Sequence, residues 1–131
     1  MIGLDTNVLV RYFVKDDPEQ TRLAVGLVYS LTPKEPGWVG IAAILELVWV
    51  MSRIYRVGRA QIAGILDTLL ASKDIVVEQG DIAREALQRY RSGKAEFADC
   101  LVAASAKAAA CTRTVTFDRI AARDAGMEIL E

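Results

Sequence analysis

Short apolar runs alternate with amphipathic stretches along this whole chain, and that alternation restricts the fold more than any other feature. Residues 2–4, 38–39, 75–77, 113–117 and 127–130 are short segments dominated by apolar and β-branched side chains, and read as strands. Thr6 or Asn7 can cap a first helix that runs to about residue 13. Asp16-Asp17-Pro18-Glu19-Gln20 opens a second that runs to about residue 30. Asp17 can cap it, Pro18 fits the first turn and Gln20 stands three positions after the cap. Residues 32–37 hold two of the three prolines and read as a loop. Further helices are expected over 41–55, 59–71, 81–91, 96–110 and 120–125, with Ser92-Gly93 ending one of them. Strands that alternate with helices predict an α/β fold, a mostly parallel central sheet flanked by helices. The 131 residues suit a single domain over 1–131, with no repeat or linker.

With 53% hydrophobic and 25% charged residues, the composition is that of a globular chain. A net charge of −1 does not advertise a nucleic-acid binder, although clustered acids would mask basic patches. Arginine outnumbers lysine, eleven to five, and its fork suits phosphate. No basic leader with a cleavage site is visible. The longest apolar stretch, residues 38–51, is broken by Glu46 and falls short of the roughly 20 residues that a membrane span needs. A cytoplasmic location with no membrane partner is expected. Cys100 and Cys111 would stand about 16 Å apart on a continuous helix, which excludes a disulfide between them. Two cysteines without histidine also exclude a zinc-finger type of site, and small buried thiols are expected.

Four acids sit singly among apolar neighbours: Asp5, Glu46, Asp99 and Asp118. A carboxylate in apolar surroundings is costly to desolvate unless something compensates it, so four of them suggest convergence on a cation. Asp5 and Asp118 directly follow strands, where ligands gather in open α/β sheets. An all-oxygen site suits a hard cation, magnesium or manganese. In a chain without histidine, a carboxylate, a lysine or metal-bound water must act as base, in attack on a phosphodiester. Each acid also has a structural alternative. Asp5, Asp99 and Asp118 could cap helices, and Glu46 could pair with a buried arginine. Asn7 and Thr116 are either supports for the carboxylates or ordinary helix-start and strand residues.

Arg11, Lys15, Arg53, Arg56, Arg59, Arg113 and Arg119 are candidates for contacts to a nucleic-acid phosphate, against a solvated helix face as the alternative. Arg53, Arg56 and Arg59, spaced at three, form the best stripe. Tyr12, Phe13 and Trp49 read as core or dimer-contact aromatics. Val25, Leu27, Val28, Trp49 and Val50 exceed what one monomer's core needs and are expected to face a partner.

Residues 2–11, Ile2-Gly3-Leu4-Asp5-Thr6-Asn7-Val8-Leu9-Val10-Arg11, resemble the opening motif of PIN domains. Leu45-Glu46-Leu47-Val48-Trp49-Val50, Glu96-Phe97-Ala98-Asp99-Cys100-Leu101-Val102-Ala103-Ala104 and Thr116-Phe117-Asp118-Arg119 resemble the family's later acidic blocks, in order. The whole chain is similar to the VapC-type toxins of bacterial toxin–antitoxin pairs. That resemblance implies a three-layer PIN fold. It also implies a magnesium- or manganese-dependent endoribonuclease that is homodimeric and silenced by a VapB-type antitoxin. By the same resemblance Asp5, Glu46, Asp99 and Asp118 line the metal site, Asn7 and Thr116 support it, and Glu96 is a further acid beside it. The alternative is a catalytically silent PIN-like module that binds RNA or protein. A DNA-cutting or structure-specific nuclease is a further rival, closer than a phosphatase or a receiver domain, since the metal chemistry is shared. A haloacid-dehalogenase type of phosphatase would need an aspartate where Asn7 stands, and a receiver domain a lysine near Thr116, so both are set aside.

Overall fold

The computed structural model describes every residue from Met1 to Glu131, and the chain divides into two compact units, Met1–Glu78 and Gln79–Glu131.

In the N-terminal unit β1 (Ile2–Gly3), β2 (Gly37–Val39) and β3 (Ile75–Val77) form a parallel sheet in that order, with Ile2 opposite Gly37 and Gly37 opposite Ile75. Parallel neighbours need long crossovers. Helices α1 (Thr6–Phe13) and α2 (Pro18–Ser30) fill the first, and α3 (Ile41–Arg53) and α4 (Arg59–Ala71) the second. The capping chemistry read from the sequence is in place. Asp17 Oδ1 accepts the Gln20 N–H at 3.0 Å, with Pro18 in the first turn. The cap of α1 is Asp5 rather than Thr6 or Asn7. Gly40 gives α3 no side-chain cap, and Glu78 Oε1 accepts the Ile41 N–H at 2.9 Å instead.

Helix α3 sorts its side chains by period. Ile44, Leu47 and Met51 are buried at spacings of three and four, with Glu46 exposed beside them. They join Leu4, Leu9, Val39, Leu66 and Leu69 in the core of this unit. Each such side chain stabilises the fold by about 1.5–3 kcal/mol.

The C-terminal unit comprises α5 (Gly80–Ser92), α6 (Phe97–Ala108), β4 (Val115–Thr116), α7 (Arg119–Asp124) and β5 (Glu128–Ile129). α5 packs on α6. Tyr90 meets Phe97 edge to face, with centroids 5.8 Å apart, and Ala83, Ala86, Cys100 and Ala104 are buried on the same two helices. β4 and β5 pair in parallel, Val115 opposite Glu128, with α7 as their crossover.

The structure is α/β with parallel strands and flanking helices, as the alternation predicts. It departs from expectation in several details. The strands fall into two sheets, because β4 and β5 are two residues long and spend their ladder bonds on each other. Helix α3 stops at Arg53, and Arg56 takes a left-handed φ of 54° in the turn before α4. Arg53, Arg56 and Arg59 therefore belong to a helix end, a turn and a helix start, and make no stripe on one face. Helix α6 stops at Ala108, and Ala110 at φ 65° turns the chain. The continuous helix assumed between Cys100 and Cys111 is absent, and both thiols line one cavity. Neither is in a disulfide, but only Cys100 is buried and Cys111 is exposed. No helix is long and apolar enough to cross a membrane.

Candidate active site

Asp5 stands two residues beyond the end of β1, and its extended backbone starts α1. Its Oδ1 accepts the Thr6 N–H at 2.8 Å. A carboxylate has two oxygens, so the capping bond leaves Oδ2 available. Asp5, Thr6, Asn7 and Glu46 line one hollow of about 340 Å³ in the N-terminal unit. Glu46 is exposed and pairs with no arginine, so the buried ion pair weighed from the sequence does not form. The Thr6 hydroxyl is buried beside these acids without a hydrogen-bond partner. An orphaned buried hydroxyl is costly and points to a missing polar neighbour. Trp49 and Ile54, 54% and 60% exposed, give the hollow an apolar wall. Trp49 is therefore no core residue, and Val25, Leu27, Val28 and Val50 are half-buried.

Arg11 lines the same hollow, but its Nε and Nη1 are engaged. Nε donates to Gln20 Oε1 at 2.7 Å, and Nη1 donates to Asp16 Oδ1 at 2.9 Å and Tyr55 Oη at 3.1 Å. The Tyr55 hydroxyl in turn donates to Asp16 Oδ2 at 3.0 Å. Arg11 thus ties α1 to α2 and to the turn after α3. Tyr55 was not singled out in the sequence, where nothing marks a tyrosine 44 residues away as its partner.

In the C-terminal unit Glu96 occupies the cap position of α6 and Asp99 its first turn. Asp99 is half-buried. Burial pushes its carboxyl above the ordinary range, and the charges of Glu96 and Asp118 push it further. Three acids are thus electrostatically coupled there. Asp118 follows β4 and its Oδ1 caps α7 through the Ala121 N–H at 2.9 Å, which again leaves one oxygen spare. Thr116 Oγ1 accepts the Asp118 N–H at 3.0 Å and so fixes the main chain that carries that acid.

Asp5, Glu46, Asp118 and Glu96 are exposed, so the desolvation cost inferred from their apolar neighbours falls on Asp99 alone. Those neighbours turn into the core while the acids turn out, which a linear reading does not separate. No three acidic or thiol side chains stand together as a finished cation cage. The donor chemistry nevertheless fits a hard cation. Spare carboxylate oxygens on Asp5 and Asp118, an unpaired Glu46 and the orphaned Thr6 hydroxyl are all oxygen groups that lack a partner. Glu78 is the acid that sequence reasoning passed over. It follows β3 as Asp5 follows β1, and that shared pattern was the available signal.

The family model of the PIN domain matches residues 2–126 and so runs through both units. A VapC ribonuclease of Aquifex aeolicus (strain VF5) is 30% identical over 117 residues, which cover 88% of this chain and 86% of that protein.

Proposed function

Because the chain belongs to the PIN-domain family, we propose that it is a metal-dependent endoribonuclease in which residues 1–131 form one PIN domain. Asp5, Glu46, Asp99 and Asp118 serve its magnesium or manganese ion. The observation that carries this reading is a set of carboxylates with free oxygens, Asp5 and Glu46 lining one hollow of the N-terminal unit and Asp99 and Asp118 coupled within the C-terminal unit, none of these four paired to a cation. When bound, the ion supplies charge neutralisation for the acids and for the phosphodiester in its transition state.

The chain's own groups do the rest. Asp5 and Asp118 offer the oxygens that their capping bonds leave over. Because each is tied at the other oxygen, it is pre-positioned and loses little entropy on binding. Asn7 offers an amide and Thr6 a buried hydroxyl beside Asp5, both able to orient a water. Thr116 keeps Asp118 in place through its N–H. Glu96 raises the negative field around Asp99. Arg53 and Arg56 contact RNA phosphates beyond the hollow, with Arg11 left to its structural network.

The VapC likeness supports a role as a toxin held by a VapB-type antitoxin, with a homodimer as the working form. An antitoxin segment that lays apolar side chains on Trp49 and Ile54 and brings an arginine to the carboxylates would satisfy both parts of the hollow. The lack of a finished cage favours one rival, a silent PIN-like module that binds RNA or protein. Incubation of partner-free protein with total RNA in magnesium, manganese or chelator separates the two. Cleavage that needs either metal supports the enzyme. Intact RNA in both metals, with RNA binding retained, supports the module.

A further inference from the structure

A second cavity, of about 210 Å³, lies within the C-terminal unit among α5, the end of α6 and the chain entering β4. Its polar lining is Glu85, Arg89, Lys107, Thr112, Arg113 and Thr114. Arg113 and Thr114 precede β4 and Asp118 follows it, so this cavity is at the opposite end of that strand from the acid.

The charges do not balance. Glu85 stands four residues before Arg89 on α5, a spacing that ordinarily pairs such residues. It accepts instead from Lys107 Nζ at 2.9 Å. Arg113 is held only by Glu128 at 3.6 Å, beyond hydrogen-bond range. Arg89 carries no ion pair. Its guanidinium packs against Gly126. A Cβ at Gly126 would be 3.0 Å from Arg89 Cζ, 3.0 Å from Nη2 and 3.1 Å from Nη1. Near-equal distances to three atoms of a planar group mean that the group lies face-on over the glycine. That leaves the N–H edge open, the edge that grips an oxyanion bidentately. The Thr112 and Thr114 hydroxyls add neutral donors.

We propose that this cavity binds a phosphomonoester dianion, with Arg89 as the bidentate anchor and Arg113 as the second cation. Two under-compensated cations match two negative charges, whereas an internal phosphodiester carries one. The source is either free phosphate and its small esters or the phosphorylated end of an RNA. The inference does not rest on the nuclease reading, and its test runs in chelator.

Inorganic phosphate, adenosine 5′-monophosphate and a short oligoribonucleotide with and without a 5′-phosphate are titrated by calorimetry into the full chain. Saturable phosphate binding is expected, weakened about tenfold or more in Arg89→Gln. It is weakened less in Arg113→Gln and is unchanged in Arg22→Gln on α2. Arg89→Lys keeps the charge without the fork and gives an intermediate loss, so a poorly folding Arg89→Gln does not end the test. A 5′-phosphorylated oligonucleotide that binds tighter than free phosphate identifies an RNA end, and equal binding identifies the small anion. No saturable phosphate binding up to about 10 mM, or binding that both arginine-to-glutamine variants leave intact, overturns the proposal.

Discussion

Glu46 and Leu47 are adjacent on α3 and do opposite things. Leu47 is 1% exposed in the core, whereas Glu46 is exposed in the hollow with Asp5. Leu47→Ala should destabilise the protein by about 2–5 kcal/mol in urea unfolding. Glu46→Gln should shift stability by no more than about 0.5 kcal/mol while RNA cleavage falls at least tenfold. Equal stability losses in the two variants would remove Glu46 from the site. Gly126 is constrained in another way. Its φ of 82° suits glycine, and a Cβ there would press on Arg89. Gly126→Ala should cost about 1–2 kcal/mol from the backbone alone, read as a lower urea midpoint. Side-chain direction is what the sequence hid at this scale. Apolar neighbours made Asp5, Glu46 and Asp118 look buried, and a helical or strand-end position turned each of them outward.

Among the elements, the connection from α5 to α6 is fastened to α7 by one carboxylate. Asp124 accepts from Arg123 at 2.9 and 3.1 Å and from the Lys94 N–H at 2.8 Å. The Arg123 bonds first, then the Lys94 N–H, lower its pKa to about 2. An unfolded aspartate titrates near 3.9. As pH falls, the unfolded chain therefore takes up this proton first, and the stabilisation present above about pH 4 is lost as pH passes through about 2. Urea midpoints between pH 5 and pH 2.5 should fall more steeply in the wild type than in Asp124→Asn, and parallel curves would contradict the assignment. Gly93 is extended rather than left-handed, yet a Cβ there would sit 2.8 Å from Asp124 Cβ. Gly93→Ala should accordingly cost about 1–3 kcal/mol by overpacking. Elements with a local signal were legible. Asp17-Pro18 marked the start of α2, and the apolar period marked α4 over its full length. Elements that depend on the turn beyond them were not. The left-handed Arg56 and Ala110 carry no glycine to announce them, so the sequence carries α3 and α6 two residues too far at their C-terminal ends.

At the scale of the whole molecule, the PIN match runs from residue 2 to residue 126, across both compact units. The alternation of strands and helices made the α/β class legible, because parallel pairing follows from the long crossovers. The order of the acids along the chain made the candidate site legible as a set of residues. Its internal bonding was not, since the caps by Asp5 and Asp118 and the Arg11 network join residues through the fold. The central claim is that Asp5 and Asp99 each serve metal-dependent RNA cleavage. Manganese binding by calorimetry, run beside RNA cleavage on wild type, Asp5→Ala and Asp99→Ala, tests it most directly. The account predicts that the wild type binds manganese and cuts RNA, and that each substitution, although in a different unit, abolishes both. Retention of manganese binding and cleavage by either folded variant would contradict it.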